Sequence, residues 1–196
     1  MKKLLDELLK QLHISKSPLI DLLQNGVTKA SAEPLIKKYE INFPEELFDL
    51  YSWKNGIGRS EQRIYKLGEL YLFNLGIFRS INESLEIYQR CSGQFWANEL
   101  FPVFESGGGD YYLVCCKEGT FSFGKVYFFS PSSPDFQGII SIFDDLETLV
   151  ETVIECYANN VYYFESDSPF LQINDALERD IAIRINPGSD YWKIFS

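Results

Sequence analysis

Three consecutive glycines, Gly107 to Gly109, stand between two apolar runs, Phe101-Pro102-Val103-Phe104 and Tyr111-Tyr112-Leu113-Val114, and this juncture constrains the fold more than any other stretch. Glycine visits positive φ without a steric penalty, so the triplet permits a backbone corner closed to other residues. The competing reading is a cradle of amides for a phosphate or an oxyanion. The residues after the triplet are aromatic and β-branched and carry no helix start signal, so the chain runs from loop into strand. A phosphate cradle leads into a helix instead. The spacing therefore predicts a structural corner, with Gly108 and Gly109 turning the chain into a central strand and Asp110 hydrogen-bonding backbone amides across it.

Around this corner the periodicities alternate between helix and strand. Leu4, Leu5, Leu8, Leu9 and Leu12 form one face of a first helix. Ser17-Pro18 and Asn25-Gly26 bracket a short second helix, which makes an N-terminal helical hairpin. A third helix is expected from Glu33 to Tyr39. A fourth opens at Pro44, with Glu45 and Glu46 complementing its dipole, and stops in the left-handed region at Asn55-Gly56. Ile64 to Phe73 alternates loosely and suggests one or two strands interrupted near Gly68.

Ser80 and Glu83 form a capping box for a helix through about Arg90. Tyr111–Cys116 and Lys125–Phe129 read as paired strands linked around Glu118-Gly119. A Ser/Pro-rich loop, 130–135, leads to a strand at Ile139–Phe143. The clearest helix is Asp144–Tyr157, where Leu146, Leu149, Val150, Val153, Ile154 and Tyr157 make a buried stripe. Val161–Phe164 suggests an edge strand, and Asn174-Asp175 with Glu178 caps a helix to about Ile183. Asn186-Pro187-Gly188 forms a turn before Tyr191 and Trp192, whose aromatic bulk is expected to dock onto the domain.

At 196 residues the chain fits one domain with a substantial core, divided into a helical extension (1–30), a core (31–160) and a C-terminal extension (161–196). The net charge of −10 argues against a nucleic-acid partner, which requires clustered Lys and Arg; it reads either as acidity that keeps the protein in solution or as the complement of a basic protein. Glu147, Glu151 and Glu155 concentrate that charge on the outer face of the 144–157 helix. Like charges at this spacing cost about 0.2–0.5 kcal/mol a pair, so the face reads either as a solvated surface or as an acidic ridge for a basic partner. No apolar run reaches the roughly 18 residues of a membrane span, and the first helix lacks the form of a secretory signal, so a cytoplasmic protein is expected.

Catalytic chemistry is poorly represented. Cys91, Cys115, Cys116 and Cys156 have no zinc spacing, and Cys115 and Cys116 point to opposite faces of a strand, so all four read as reduced core residues. His13 is the single histidine, which leaves neither a His-rich metal site nor an obvious nucleophile–base pair. Glu105 and Asp110, flanking the glycines, are the remaining enzyme-type candidates. No catalytic residue, cofactor or metal ligand is assigned.

Phe43-Pro44-Glu45-Glu46-Leu47, Asn55-Gly56, Phe101-Pro102-Val103-Phe104 leading to Gly108-Gly109-Asp110, and the late strand and helix ending at Tyr157 occur in the order seen in the SUKH superfamily. These are the proteins related to the fungal cell-wall-assembly and glucan-synthesis regulator. The chain resembles that family over residues 31–160, with Pro44, Gly56, Gly108, Gly109 and Asp110 at motif positions. The resemblance implies an α+β fold, one mostly antiparallel central sheet flanked by helices, without catalytic residues. It further implies a protein-binding role. Bacterial members resemble immunity proteins that neutralise a toxin, often a nuclease, and fungal members act as regulatory adaptors. The segments 1–26 and beyond Tyr157 depart from the family pattern.

Overall fold

The computed structural model describes residues 1–133, 135 and 138–194. Pro134, within the expected Ser/Pro-rich loop, lies outside them.

The leucine stripe folds as α1 (Lys2–Ile14), burying Leu5, Leu8 and Leu12. The expected second helix is a single 3-10 turn, Pro18–Asp21, capped by the Ser17 hydroxyl, and the chain then extends as β1 (Leu23–Asn25). A helical hairpin is therefore replaced by helix, turn and strand. Helix α2 (Lys29–Lys37) starts earlier than expected because Thr28 caps it, its hydroxyl accepting from the Ser31 amide at 3.2 Å. Pro34 lies inside α2. Pro44 is the cap of α3 (Glu45–Trp53), and α3 passes directly into β2 (Lys54–Ile57), which pairs antiparallel with β1. Asn55-Gly56 thus lies in a strand and not at a helix stop.

The expected strands between Gly58 and Phe73 are absent. That segment holds α4 (Arg59–Gln62) and a 3-10 turn at Leu67–Glu69. Then follow β3 (Ile77–Phe78), α5 (Ile81–Cys91), β4 (Leu100–Glu105), β5 (Tyr111–Cys115), β6 (Val126–Phe129) and β7 (Ile139–Phe143). The five strands form one antiparallel sheet in the order β3-β4-β5-β6-β7. Side chains alternate across it: Tyr112, Val114 and Cys116 enter the main core, while Leu113 and Cys115 join Trp96, Leu100 and Phe129 in a second cluster on the other face. The two adjacent cysteines do point to opposite faces, and all four cysteines are buried free thiols.

Helix α6 (Leu146–Ala158) is opened by Asp145 and Thr148 in a reciprocal capping box. It packs between α1 and α7 (Asp175–Ile185), against the core. Tyr162–Phe164 (β8) pairs with Leu171–Ile173 (β9) in a separate ribbon, and so is not an edge of the central sheet. The exposed edge of β7 is covered by the residues leading into α8 (Tyr191–Ile194). The Asp190 amide donates to Ser141 O at 3.2 Å, and the Trp192 indole donates to Ile142 O at 2.8 Å. Unpaired sheet edges invite other strands, and the docked aromatics close this one.

Candidate functional site

The glycine corner consumes its own hydrogen-bonding groups. The Ser106 hydroxyl accepts from the amides of Gly108 (3.0 Å) and Asp110 (3.2 Å) and donates to Asp110 Oδ2 (2.8 Å). Ser106, and not Asp110, therefore holds the amides, and the carboxylate orients the hydroxyl. Gly107 and Gly109 adopt φ of +77° and +107°, whereas Gly108 does not require glycine and has room for a Cβ at 3.4 Å from Ser106 Oγ. Gly109→Ala is expected to cost about 1–3 kcal/mol of stability. Gly108→Ala should hold stability or raise it by about 0.4–1 kcal/mol. Urea denaturation of both variants checks the contrast.

The two enzyme-type carboxylates are committed structurally. Glu105 is ion-paired with Arg79, and each is only 12% exposed. Burial pushes the Arg79 guanidinium below its usual range, with the nearby Glu83 opposing the shift. Asp110 is held by Ser106. His13 is exposed at the end of α1. Among the described residues no group of three or more His, Cys, Asp or Glu is placed to hold a metal ion.

The acidic ridge on α6 is only partly open. Glu147 receives the Met1 amino group and Glu155 the Arg184 guanidinium of α7. Glu151 is exposed and forms no ion pair among the described residues. Sequence spacing shows the three glutamates on one face but is blind to cations supplied by neighbouring helices.

A second acidic region lies at the α2–α3 connection. The α2–α3 connection and the β5–β6 loop border two adjoining clefts of about 620 and 760 Å³, which share Glu40, Ile41, Asn42 and Glu118. Glu40 has φ of +55°, an uncommon conformation for a non-glycine residue. At the tip of the β5–β6 loop Phe121 is fully exposed, and Phe123 is 36% exposed. The only trace of this region in the sequence is a pair of phenylalanines in a short polar strand connection.

Glu178 does not take the capping role its position predicts: Asn174 alone caps α7, accepting from the Leu177 amide at 3.3 Å, and the Glu178 side chain is buried. Glu178, on α7, is 5% exposed; it accepts from the Tyr162 hydroxyl and from Asn74 Nδ2 at 2.8 Å. Asn74 O in turn accepts from the Tyr112 hydroxyl at 2.7 Å. Burial pushes the Glu178 carboxyl up to about 7, with the two hydrogen bonds opposing the shift. This cluster ties the C-terminal residues to the central sheet.

The carboxylates at the glycine corner lie in closed polar networks, the four cysteines are buried, and exposed acids remain on α6 and at the α2–α3 connection. No helix among the described residues is long and apolar enough to cross a membrane. No curated protein matches the chain. A family model described as the SMI1 / KNR4 family (SUKH-1) matches residues 26–152, from just after β1 into α6. The match spans the whole central sheet and most of the chain, and the protein belongs to the SMI1 / KNR4 (SUKH-1) family.

Proposed function

We propose that the protein is a cytoplasmic, non-catalytic binding protein that neutralises a toxin domain by stoichiometric occlusion, the toxin being a basic protein and a nuclease by preference. The observation that carries this reading is family membership combined with a net charge of −10. Acidic complementarity accelerates association with a basic partner and falls away with salt. The polar networks at Glu105 and Asp110 support a structural use of the carboxylates that catalysis would otherwise recruit.

Calorimetry with the purified toxin domain encoded beside the gene tests the proposal. A one-to-one complex that abolishes toxin activity is the expected result. A neighbouring toxin that forms no complex overturns it, and a gene without such a neighbour favours the regulatory-adaptor reading.

The α6 ridge is the first surface assigned to this partner, with Glu147, Glu151 and Glu155 on it. Glu151 is its open carboxylate, and Glu151→Lys is expected to slow association several-fold, about one order of magnitude at most, and to flatten the salt dependence. Stopped-flow association at two salt concentrations measures this. An unchanged rate removes the helix from the interface.

A further inference from the structure

We infer that the trough between the α2–α3 connection and the β5–β6 loop is a docking site for a cationic protein segment carrying an apolar residue beside its lysines or arginines. The inference rests on the proposed binding role only in taking the occupant to be a protein.

The charge of the trough selects the occupant. Glu33, Glu40, Glu45, Glu99 and Glu118 line it, against Lys37 and Lys117. Lys117 is paired with Glu99 at 3.8 Å, and Glu45 with Lys29. Glu33, Glu40 and Glu118 form no ion pair among the described residues, and Lys37 is the single lining cation likewise without one. Three open carboxylates facing one open ammonium leave a negative trough that attracts a cation and repels a second copy of this chain, whose net charge is −10.

The loop supplies an anchor for such a segment. Phe121 is fully exposed, so its ring contributes no burial to the fold. Phe123 lines the larger cleft, and the neighbouring Gly124 brings the loop backbone against Pro44, where a Cβ would stand 4.0 Å from the proline Cβ. The loop is thereby seated next to the α2–α3 connection with an aromatic at its tip. Phe123, 36% exposed on a cleft wall that also carries Glu33, Glu40 and Glu118, has the arrangement of an interface anchor, and Phe121 two residues before it adds a second exposed ring on the same loop: the carboxylates steer approach, and covering the rings slows departure. The apolar floor, Ile41 and Phe43, is already packed in the core, so docking requires no rearrangement beneath the trough.

The test uses the full chain, isotope-labelled for amide NMR, and a synthetic peptide of sequence Lys-Leu-Lys-Phe-Lys-Leu-Lys, with Glu-Leu-Glu-Phe-Glu-Leu-Glu as control. Saturable shifts clustered at residues 33–45 and 117–124, with the cationic peptide alone, are expected. Glu40→Lys combined with Glu118→Lys should weaken binding by about tenfold or more, and Phe121→Ser by severalfold, with unfolding midpoints unchanged because all three side chains are exposed. Shifts scattered over the surface, or variants that bind within about twofold of the parent, overturn the inference. A toxin complex unaffected by the three substitutions also overturns it while leaving the proposed function intact. Peptide binding confined to the trough, without any toxin complex, removes the proposed function and supports the trough.

Discussion

Gly56→Ala is expected to lower stability by about 2–5 kcal/mol, the sum of a left-handed residue at about 1–2 kcal/mol and overpacking at about 1–3 kcal/mol. Gly56 has φ of +68°, and an added Cβ would stand 2.4 Å from the carbonyl carbon of Arg79 and 2.5 Å from the amide nitrogen of Ser80. Both contacts are with backbone, which cannot rotate away as a side chain can. The approach joins β2 to the start of α5, where Ile57 bridges to Arg79 and the Asn55 side chain accepts from the Ile81 amide at 2.9 Å. Separating them removes a cap from α5 as well as a contact. For a chain of this length the unfolding midpoint should fall by roughly 4–20 °C. Gly109→Ala is the control, since at φ of +107° it has nothing within 4 Å of its Cβ position and so carries conformational cost alone. Equal losses in the two variants would contradict the close-approach account.

The same two residues show what was legible in the sequence. Asn55-Gly56 reads as a helix stop because that dipeptide favours left-handed backbone, and the left-handed glycine is present. The reason for it lies at Arg79 and Ser80, more than twenty positions away, where local chemistry gives no sign. Elements closed by their own side chains were readable: Ser80, Asp145 and Asn174 each accept the amide three residues on, opening α5, α6 and α7. The alternation of Tyr111–Cys116 was readable because both faces of the sheet are covered.

Elements defined by distant partners were not. Ile64 to Phe73 alternates as a strand would, yet Ile64 is 77% exposed and no neighbouring strand receives it. β1 exists because β2 pairs with it. Glu147, Glu151 and Glu155 share α6, but the cations that meet Glu147 and Glu155 come from the chain start and from α7. Residue spacing along one helix contains neither.

The largest pH effect should come from Glu178, which its position at the start of a helix marks as a capping residue but which is buried. Its side chain is enclosed by Tyr162, Asn74 and the Tyr112–Asn74 link, with Cys156 close by. The charge facing it most directly is that of Asp175, also negative, and no cation contributes to its shift. In the unfolded chain this carboxyl titrates near 4.5; in the fold it titrates near 7. Between those values the folded state binds the proton and the unfolded state has lost it, so stability falls as pH rises. The contribution is fully present below pH 4.5, declines through 7 and is constant above. Its span is about 3 kcal/mol, from 1.36 kcal/mol per pKa unit. Gln mimics the protonated side chain and cannot ionise. Glu178→Gln should therefore match the parent protein near pH 4.5 and exceed it by about 3 kcal/mol at pH 8, because the parent alone must then bury a carboxylate. Urea denaturation of both proteins at the two pH values reads the difference directly. A stability difference that stays constant between them would mean that Glu178 is already ionised in the fold at low pH, held by the Tyr162 and Asn74 donors in spite of its burial.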